Sequence, residues 1–125
     1  MQGRSLPAVH AFLQQCVNDL QQAGVARHRI AIDPGVGFGK TVEQNFELLA
    51  EQAHLLTLHQ PLLVGWSRKS SLGAVTGCAV NDRLVPSIAA ATLAIERGAH
   101  VLRVHDVAAT VQAVKVWQAA FATID

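Results

Sequence analysis

Three short apolar runs, at residues 30–32, 62–64 and 101–104, constrain the fold of this chain more than any other feature. A helical pattern precedes the first run, and another follows each of the three. Strands that are apolar on both faces and alternate with helices are typical of parallel sheets, because the helices cover both faces. The pattern predicts an α/β fold with the order α-β-α-β-α-β-α. An open doubly wound sheet and part of a (β/α)₈ barrel both fit this order.

The helical segments carry start and stop signals. An apolar stripe over residues 9–20 predicts a first helix that ends at Gly24. Residues 41–56 begin with Thr-Val-Glu-Gln, which has the form of a capping box and predicts a second helix. A third helix is predicted over 87–97, closed by a glycine. The last predicted helix has one apolar face, which comprises Val111, Val114, Trp117, Phe121 and Ile124.

Composition excludes several classes of protein. Half of the residues are hydrophobic and 15% are charged, which is typical of a compact interior and not of a disordered chain. With a formal net charge of +1, we expect neither nucleic acid nor a membrane as a partner. The two cysteines, Cys16 and Cys78, lack the spacing of a metal site, and the first residues do not resemble a signal peptide. We therefore expect a reduced, cytoplasmic protein without metal ligands of its own.

The chain is one domain-sized unit of 125 residues. A complete (β/α)₈ barrel has about 250 residues. The first predicted element is a helix, and the strand that would precede it in a barrel is absent. If the barrel alternative holds, residues 1–125 are expected to form a partial domain.

Chemically rich residues follow each of the three apolar runs. Residues 33–40 have the sequence Asp-Pro-Gly-Val-Gly-Phe-Gly-Lys, residues 65–70 have Gly-Trp-Ser-Arg-Lys-Ser, and residues 103–106 have Arg-Val-His-Asp. Ligands bind at the carboxyl ends of the strands in both open and closed parallel sheets. We therefore expect the three clusters to converge on one cleft. The stretch 67–82 that follows the second apolar run is polar and contains glycines.

The first cluster has a structural alternative, a flexible turn between a strand and a helix. Its glycines are one residue too closely spaced for a Walker A loop, and the spacing GxGxG is not the Rossmann GxGxxG. A carboxylate at the end of an apolar strand is costly to bury without a partner, which favours a functional role for Asp33. Phe38 lies between two glycines, which favours contact with a ligand or with a neighbouring loop.

The other two clusters are basic. Arg68 and Lys69 have the alternative of ordinary solvated charges, but they follow a buried strand and a glycine, at the mouth of the sheet. Arg103 and His105 are two residues apart and share one face of the third strand. A guanidinium suits phosphate oxygens, and an imidazole can donate or exchange a proton. This pair therefore predicts an anion site.

In order and spacing, the three clusters closely resemble the C-terminal motifs of the dihydropteroate synthases. The segment 83–100 between the last two clusters fits the same family, and Met1-Gln2-Gly3 resembles its segment just after the fifth strand. The resemblance implies the C-terminal half of a (β/α)₈ TIM barrel. It also implies the condensation of dihydropterin pyrophosphate with para-aminobenzoate to dihydropteroate, with release of pyrophosphate.

The resemblance implies a substrate contact for each of four residues. Asp33 would hydrogen bond to the pterin ring, and Lys69 would also touch the pterin. Phe38 and Ser70 would border the para-aminobenzoate. Ser70 would lie near the carboxylate of this substrate at a helix N-terminus, where free N–H groups favour an anion.

Arg103 and His105 are implied to bind the pyrophosphate, and together with Lys69 they are the expected catalytic residues. Negative charge grows on the leaving oxygen as the bond to the methylene carbon breaks, and fixed cations stabilise that charge. Members of the family use Mg²⁺ with the pyrophosphate. The ligand residue for this metal is expected in the half of the barrel that precedes these motifs.

Two further expectations follow from the partial barrel. Because groups from the other half would be missing, we expect residues 1–125 alone to have little or no synthase activity. The open sheet edges favour self-association or a partner that supplies the other half. The family implies a homodimer through the late helices, including the helix with Trp117. The alternative is a non-catalytic half-barrel that serves binding or dimerisation.

Overall fold

The computed structural model describes residues 5–124. The α-helices are α1 (Ser5–Gln22), α2 (Val42–Ala50), α3 (Ser70–Thr76), α4 (Leu84–Glu96) and α5 (Val107–Ile124). Two short strands, β1 (Leu63–Val64) and β2 (Val101–Leu102), lie between them, with 3₁₀ turns at Arg27–Arg29, Gln52–Leu58 and Val80–Asp82. Within this part of the chain, no helix is long and apolar enough to span a bilayer. The expectations for Met1-Gln2-Gly3 lie outside the described residues.

The two strands are parallel, as the alternation with helices predicted. Leu63 pairs with Val101 and Val64 pairs with Leu102. On the other side of β1, a single parallel bridge joins Ile32 to Leu62. The backbone N–H of Leu63 donates to the Ile32 carbonyl at 2.8 Å, which holds this third segment in the sheet.

The predicted strands were too long. Only Ile32 of the run 30–32 is bridged to a neighbour, and the run 101–104 ends as a strand at Leu102. A 3₁₀ turn ends at Arg29, just before this run, and only Ile32 lies close enough to Leu62 to pair with it. The N–H of Arg103 still donates to the Val64 carbonyl at 3.0 Å, so the third segment stays aligned beyond the last paired residue.

Local signals set the helix ends. Thr41 accepts a hydrogen bond from the Gln44 backbone and Gln44 reaches back to the Thr41 N–H, so the predicted capping box is present. Such a cap contributes about 1 kcal/mol. Gly24 and Gly98 have φ values of 101° and 100°, which end the preceding helices in the conformation that glycine adopts without strain.

One predicted helix was too long, and residue patterns did not predict another helix. The helix predicted over 41–56 ends at Ala50, and a 3₁₀ segment follows it. Residue patterns predicted no helix in the polar stretch 67–82, but it contains α3 and a 3₁₀ turn; α3 begins at Ser70, as the family resemblance implied. With only seven residues and many small side chains, α3 lacks the apolar stripe by which a helix is identified in a sequence.

The core lies where the helices meet the strands. Trp66 packs against Phe46 with ring centroids 5.0 Å apart, just beyond the end of β1. The side chains that are almost completely shielded from solvent come from several elements: Val17, Leu48, Leu55, Leu62, Val64, Trp66 and Ala94. This core fixes the end of β1 rigidly, and the second polar cluster begins there.

Candidate active site

The carboxyl ends of the three parallel segments meet at a cavity of about 310 Å³. Its lining comes from all three polar clusters: Phe38, Gly65, Ser67, Lys69, Arg103, Val104 and His105. A larger cleft of about 660 Å³ runs along the other edge of β2, but aliphatic side chains such as Leu102, Val107 and Val111 dominate its lining. The smaller cavity therefore holds the chemistry, and the larger cleft is an open edge of the sheet.

Arg103 lies across the strand ends. Its Nη2 atom is 3.9 Å from Oδ2 of Asp33, so the first and third clusters form an ion pair. The other carboxylate oxygen of Asp33 accepts a hydrogen bond from the Gly35 N–H at 2.8 Å. Gly65 makes room for the guanidinium, because a Cβ there would lie 2.8 Å from Nη2 of Arg103. The sequence did not indicate this role of Gly65.

Lys69 extends over the glycine loop of the first cluster. Its Nζ atom lies 4.5 Å from the centroid of the Phe38 ring, within the range of a cation–π contact. Gly37, with φ 87°, packs against the Lys69 stem, and a Cβ at position 37 would approach Cδ of Lys69 to 3.3 Å. The exposed position of Phe38 is thus explained in part by contact with a neighbouring loop.

His105 is held by Ser67, which the sequence analysis did not single out. Nδ1 of His105 and Oγ of Ser67 are 2.7 Å apart, and the His105 backbone N–H donates to the same oxygen at 3.2 Å. Ser67 is buried, whereas the imidazole is exposed at the cavity. Ser67 lies two residues before the predicted lysine, but its own sequence context gave no signal of this contact.

Of the six site residues predicted from the sequence, the structure brings four to the cavity wall. These are Phe38, Lys69, Arg103 and His105. Asp33 reaches the group through its ion pair with Arg103. Ser70 is the first residue of α3 and is exposed, but it does not line the cavity. The individual roles given to the six residues stay predictions.

Arg68 is a structural residue, which decides between the alternatives for the Arg68–Lys69 pair. It has φ 58°, and its guanidinium forms an ion pair with Asp106 at 3.1 Å. Its backbone N–H donates to Oγ of Ser87 at 2.8 Å, and its carbonyl accepts from Arg83 at 3.1 Å. These contacts fix the loop, so Lys69 alone of the two cations faces the cavity.

A buried amide connects the first two clusters. Oδ1 of Asn45 accepts from the Gly37 N–H at 2.9 Å, and its Nδ2 donates to Oγ of Ser71 at 2.9 Å. Asn45 is only 2% exposed. It shares the inner face of α2 with Leu48 and Leu49. A polar side chain on this apolar face was the sequence signal of such a link.

Lys40, at the end of the glycine loop, forms hydrogen bonds back to the loop backbone. Its ammonium donates to the carbonyls of Gly35 at 2.9 Å and Phe38 at 3.1 Å. Partial burial lowers the pKa of Lys40, while the charge of Asp33 acts in the opposite direction. Lys40 is therefore a structural cation, and Lys69 is the lysine at the cavity.

The described residues do not fit a metal ion. Over positions 5–124 no three side chains from histidine, cysteine, aspartate and glutamate come together as ligands. The groups around the cavity are cationic or neutral donors, and the nearby carboxylates are engaged: Asp33 by Arg103 and Gly35, and Asp106 by Arg68. Such a group of donors favours an anion.

The fold and the cavity define a class of protein: a parallel β/α unit with a cluster of cationic and neutral donor groups at its strand ends. The family model described as pterin binding enzyme matches residues 2–105. The chain belongs to this family.

Several relatives are dihydropteroate synthases. The enzyme of Haemophilus influenzae is 45% identical over 111 residues, which cover 89% of this chain and 40% of that protein. The structure of the Xanthomonas albilineans enzyme in complex with 7,8-dihydropteroate is 46% identical, with a TM-score of 0.95 over 98% of this chain and 47% of that one. The Coxiella burnetii enzyme in complex with pteroic acid gives a TM-score of 0.87 at 42% identity, over 89% of this chain and 41% of that one.

The chain spans about two fifths of the length of the curated relatives it matches. The matched region is their C-terminal part, and the related structures are TIM barrels. The prediction of a C-terminal portion of a (β/α)₈ barrel is therefore confirmed, and the open doubly wound sheet is excluded.

Replacing Gly65 by alanine tests the position of Arg103. The backbone of Gly65 does not need glycine, since Gly65 is not among the glycines with positive φ. We expect the free energy of unfolding to change by less than about 0.5 kcal/mol, because the new Cβ would displace only the guanidinium at the end of the flexible Arg103 side chain. We expect inorganic pyrophosphate, used as an anion probe in calorimetry, to bind about tenfold more weakly to this variant, the size of one charge-assisted hydrogen bond.

The control is a double-mutant cycle. In an Arg103→Ala background, Gly65→Ala should have no further effect on pyrophosphate affinity, because the displaced group is already absent. A tenfold loss in that background as well would contradict the proposed contact.

Proposed function

We propose that this chain forms the pyrophosphate-binding and pterin-binding wall of a dihydropteroate synthase. The reaction joins dihydropterin pyrophosphate to para-aminobenzoate and releases pyrophosphate. The observation that carries the proposal is the convergence of Lys69, Arg103 and His105 on one cavity at the strand ends. The similarity to dihydropteroate synthases over 89% of the chain supports it.

Arg103 and His105 bind the pyrophosphate in this proposal. Negative charge accumulates on the bridging oxygen as the carbon–oxygen bond breaks, and the guanidinium and imidazole donors stabilise it. The nitrogen of para-aminobenzoate then attacks the electron-poor methylene carbon. Lys69 adds a third positive group to the same cavity, where it favours the build-up of charge in the transition state.

Asp33 accepts hydrogen bonds from the pterin ring, whose amide-like edge offers N–H donors to a carboxylate. In the free chain, Arg103 and the Gly35 N–H engage this carboxylate. The ion pair is long, at 3.9 Å, and both side chains are partly exposed, so it is weak enough to yield to a ligand. The entering substrate thus breaks the ion pair. Asp33 then binds the pterin, and Arg103 binds the pyrophosphate.

Phe38 and Ser70 border the para-aminobenzoate. The exposed ring of Phe38 supplies an apolar surface for the aromatic substrate, with the Lys69 ammonium against its face. Ser70 begins α3, which has no side-chain cap, and a helix N-terminus favours a carboxylate. Because Ser70 does not line the cavity itself, we place it at the carboxylate end of a substrate whose amine points toward the cavity.

We propose no metal ligand from positions 5–124, because the side chains described there form no metal-binding group. Any Mg²⁺ used in the reaction is expected to bind to phosphate oxygens and to groups beyond these residues. Both cysteines, Cys16 and Cys78, are free thiols, which is consistent with a reaction in the reducing cytoplasm. With a net charge of +1, no nucleic-acid partner is proposed.

The first test is a calorimetric titration of the chain with a pterin and, separately, with pyrophosphate. Arg103→Ala should weaken pyrophosphate binding by at least about tenfold, because a charge-assisted hydrogen bond is lost. Asp33→Ala should weaken pterin binding by a similar factor. The matched controls are Arg29→Ala and Asp19→Ala, which remove exposed charges outside the cavity lining and should leave both affinities unchanged.

Equal losses in the controls would mean that overall charge, and not the site, governs binding. No binding of either ligand to a folded chain would remove the support for a ligand site in these residues.

Turnover gives a second prediction. We expect residues 1–125 alone to show little or no synthase activity, because the matched region is about two fifths of a complete relative. Adding the amino-terminal three fifths of the Haemophilus influenzae relative should restore turnover. Lys69→Ala should abolish the restored activity, and Arg29→Ala should not.

The second candidate function is a non-catalytic half-barrel. Pterin binding without turnover, even after the complementing half and Mg²⁺ are added, would favour this function over the synthase.

A homodimer through the late helices is also proposed. A groove of about 480 Å³ between α4 and α5 is lined mainly by aliphatic side chains, and Val85 and Val116 in it are 77% and 72% exposed. Exposed apolar area of this kind favours association. Trp117 instead makes contacts within the chain, because its indole donates to Glu96 at 2.6 Å and its ring stacks on Phe121.

Sedimentation velocity tests the dimer. We expect the chain to sediment as a dimer and Val85→Glu to shift it to a monomer, because a buried charge would be unpaired. The matched control is Val75→Glu on α3, a valine that is 59% exposed outside the groove. A monomeric chain, or dissociation by both variants, would contradict this interface.

A further inference from the structure

We infer that Ser67 is a positioning residue that holds His105 in one tautomer, with the imidazole proton on Nε2. This inference deepens the proposed function and rests on it only for the identity of the anion. It follows from the hydrogen bonds of the Ser67 hydroxyl, a group that the proposed chemistry does not otherwise use.

The Ser67 hydroxyl has one proton to donate and two lone pairs. The backbone N–H of His105 is always a donor, so its 3.2 Å contact occupies one lone pair. The remaining contact is the 2.7 Å distance between Oγ and Nδ1 of His105. Either the hydroxyl donates to Nδ1, or Nδ1 carries a proton and donates to the hydroxyl.

Burial decides between these two arrangements. Ser67 is only 8% exposed, although it contributes to the lining of the cavity. If Nδ1 carried the proton, the hydroxyl proton would have no acceptor among the contacts of the described residues, and a buried donor without a partner is costly. If the hydroxyl donates to Nδ1, every polar group of the contact is satisfied. The proton of the neutral imidazole then lies on Nε2.

The Nε2 atom is on the opposite side of the ring from this buried contact. The side chain of His105 is exposed and lines the cavity beside Lys69 and Arg103. The neighbouring carboxylate of Asp106 is engaged by Arg68, so it does not compete for the imidazole. Nε2–H is therefore a hydrogen-bond donor toward an anion even when the ring is uncharged.

This arrangement limits what His105 does in the reaction. A neutral imidazole with its proton on Nε2 donates to a pyrophosphate oxygen but accepts no proton from the cavity. His105 thus stabilises the leaving group and is not the base that deprotonates the amine of para-aminobenzoate. The sequence had left both roles open, since an imidazole can donate or exchange a proton.

The experiment is nitrogen-detected NMR of the histidine rings in the 125-residue chain at about pH 8, where an unperturbed imidazole is neutral. His100 is an internal reference, because its Nδ1 accepts a hydrogen bond from the Leu62 backbone N–H at 3.0 Å and so cannot carry a proton. We expect His105 to give the same Nε2–H pattern as His100. A protonated Nδ1 in His105 would overturn the inference without any variant.

Three variants then test the role of Ser67 itself. In Ser67→Ala, we expect His105 to give a mixture of tautomers and pyrophosphate affinity to fall about fivefold, as for the loss of one hydrogen bond. Ser67→Thr keeps a hydroxyl and should restore both signals toward the original. Ser87→Ala removes another buried hydroxyl, one bonded to the Arg68 N–H and not to His105, and should leave the His105 pattern unchanged.

An unchanged His105 pattern in a folded Ser67→Ala chain would refute the positioning role. If the original chain shows the Nε2–H tautomer and Ser67→Ala disturbs it, but inorganic pyrophosphate does not bind, the positioning role stands and the proposed function fails. The two ideas are therefore tested separately.

Discussion

The rest of the structure depends on the parallel alignment of residue 32 and β2 on either side of β1. The carbonyl of Leu62 accepts from both His100 and Val101, and the N–H of Leu63 donates to Ile32. Leu62 and Val64 are almost completely buried, so this segment cannot slip without exposing the core. Parallel alignment brings the carboxyl ends of all three segments to one edge. The three polar clusters, which are far apart in sequence, therefore meet there.

Buried polar side chains then fix the loops that carry the clusters. Asn45 forms hydrogen bonds to both the glycine loop and α3. Ser67 forms a hydrogen bond to His105, and Ser87 accepts one from the N–H of Arg68. Each such bond contributes about 1 kcal/mol, and an unpaired partner left in the interior costs more. Glycine-rich loops are flexible in isolation, so these links hold Lys69 and His105 in position. The site thus owes its order to hydrogen bonds that are made within the chain.

Sequence patterns predicted most of the elements, and the errors have identifiable causes. The capping box at Thr41 and the glycine at position 98 are local signals, which act whatever the rest of the fold does. Residues 30–32 were predicted as a strand because they are apolar, but pairing needs a partner in register and only Ile32 has one. Residue periodicity did not predict helix α3, because its small residues show no apolar stripe.

The sequence by itself determined the class of fold and four of the residues at the cavity, because strand–helix alternation and clustered charges can be recognised from the order of residues alone. It also carried the family motifs, which the comparisons confirmed. Only the tertiary structure decided that the Arg103 guanidinium packs on Gly65 and pairs with Asp33. It also decided that Arg68 pairs with Asp106 and that Ser67 forms a hydrogen bond to His105. These contacts join residues 38 to 70 positions apart in the sequence, with distances fixed by packing. No local pattern specifies such contacts, since each depends on where another element places its side chains.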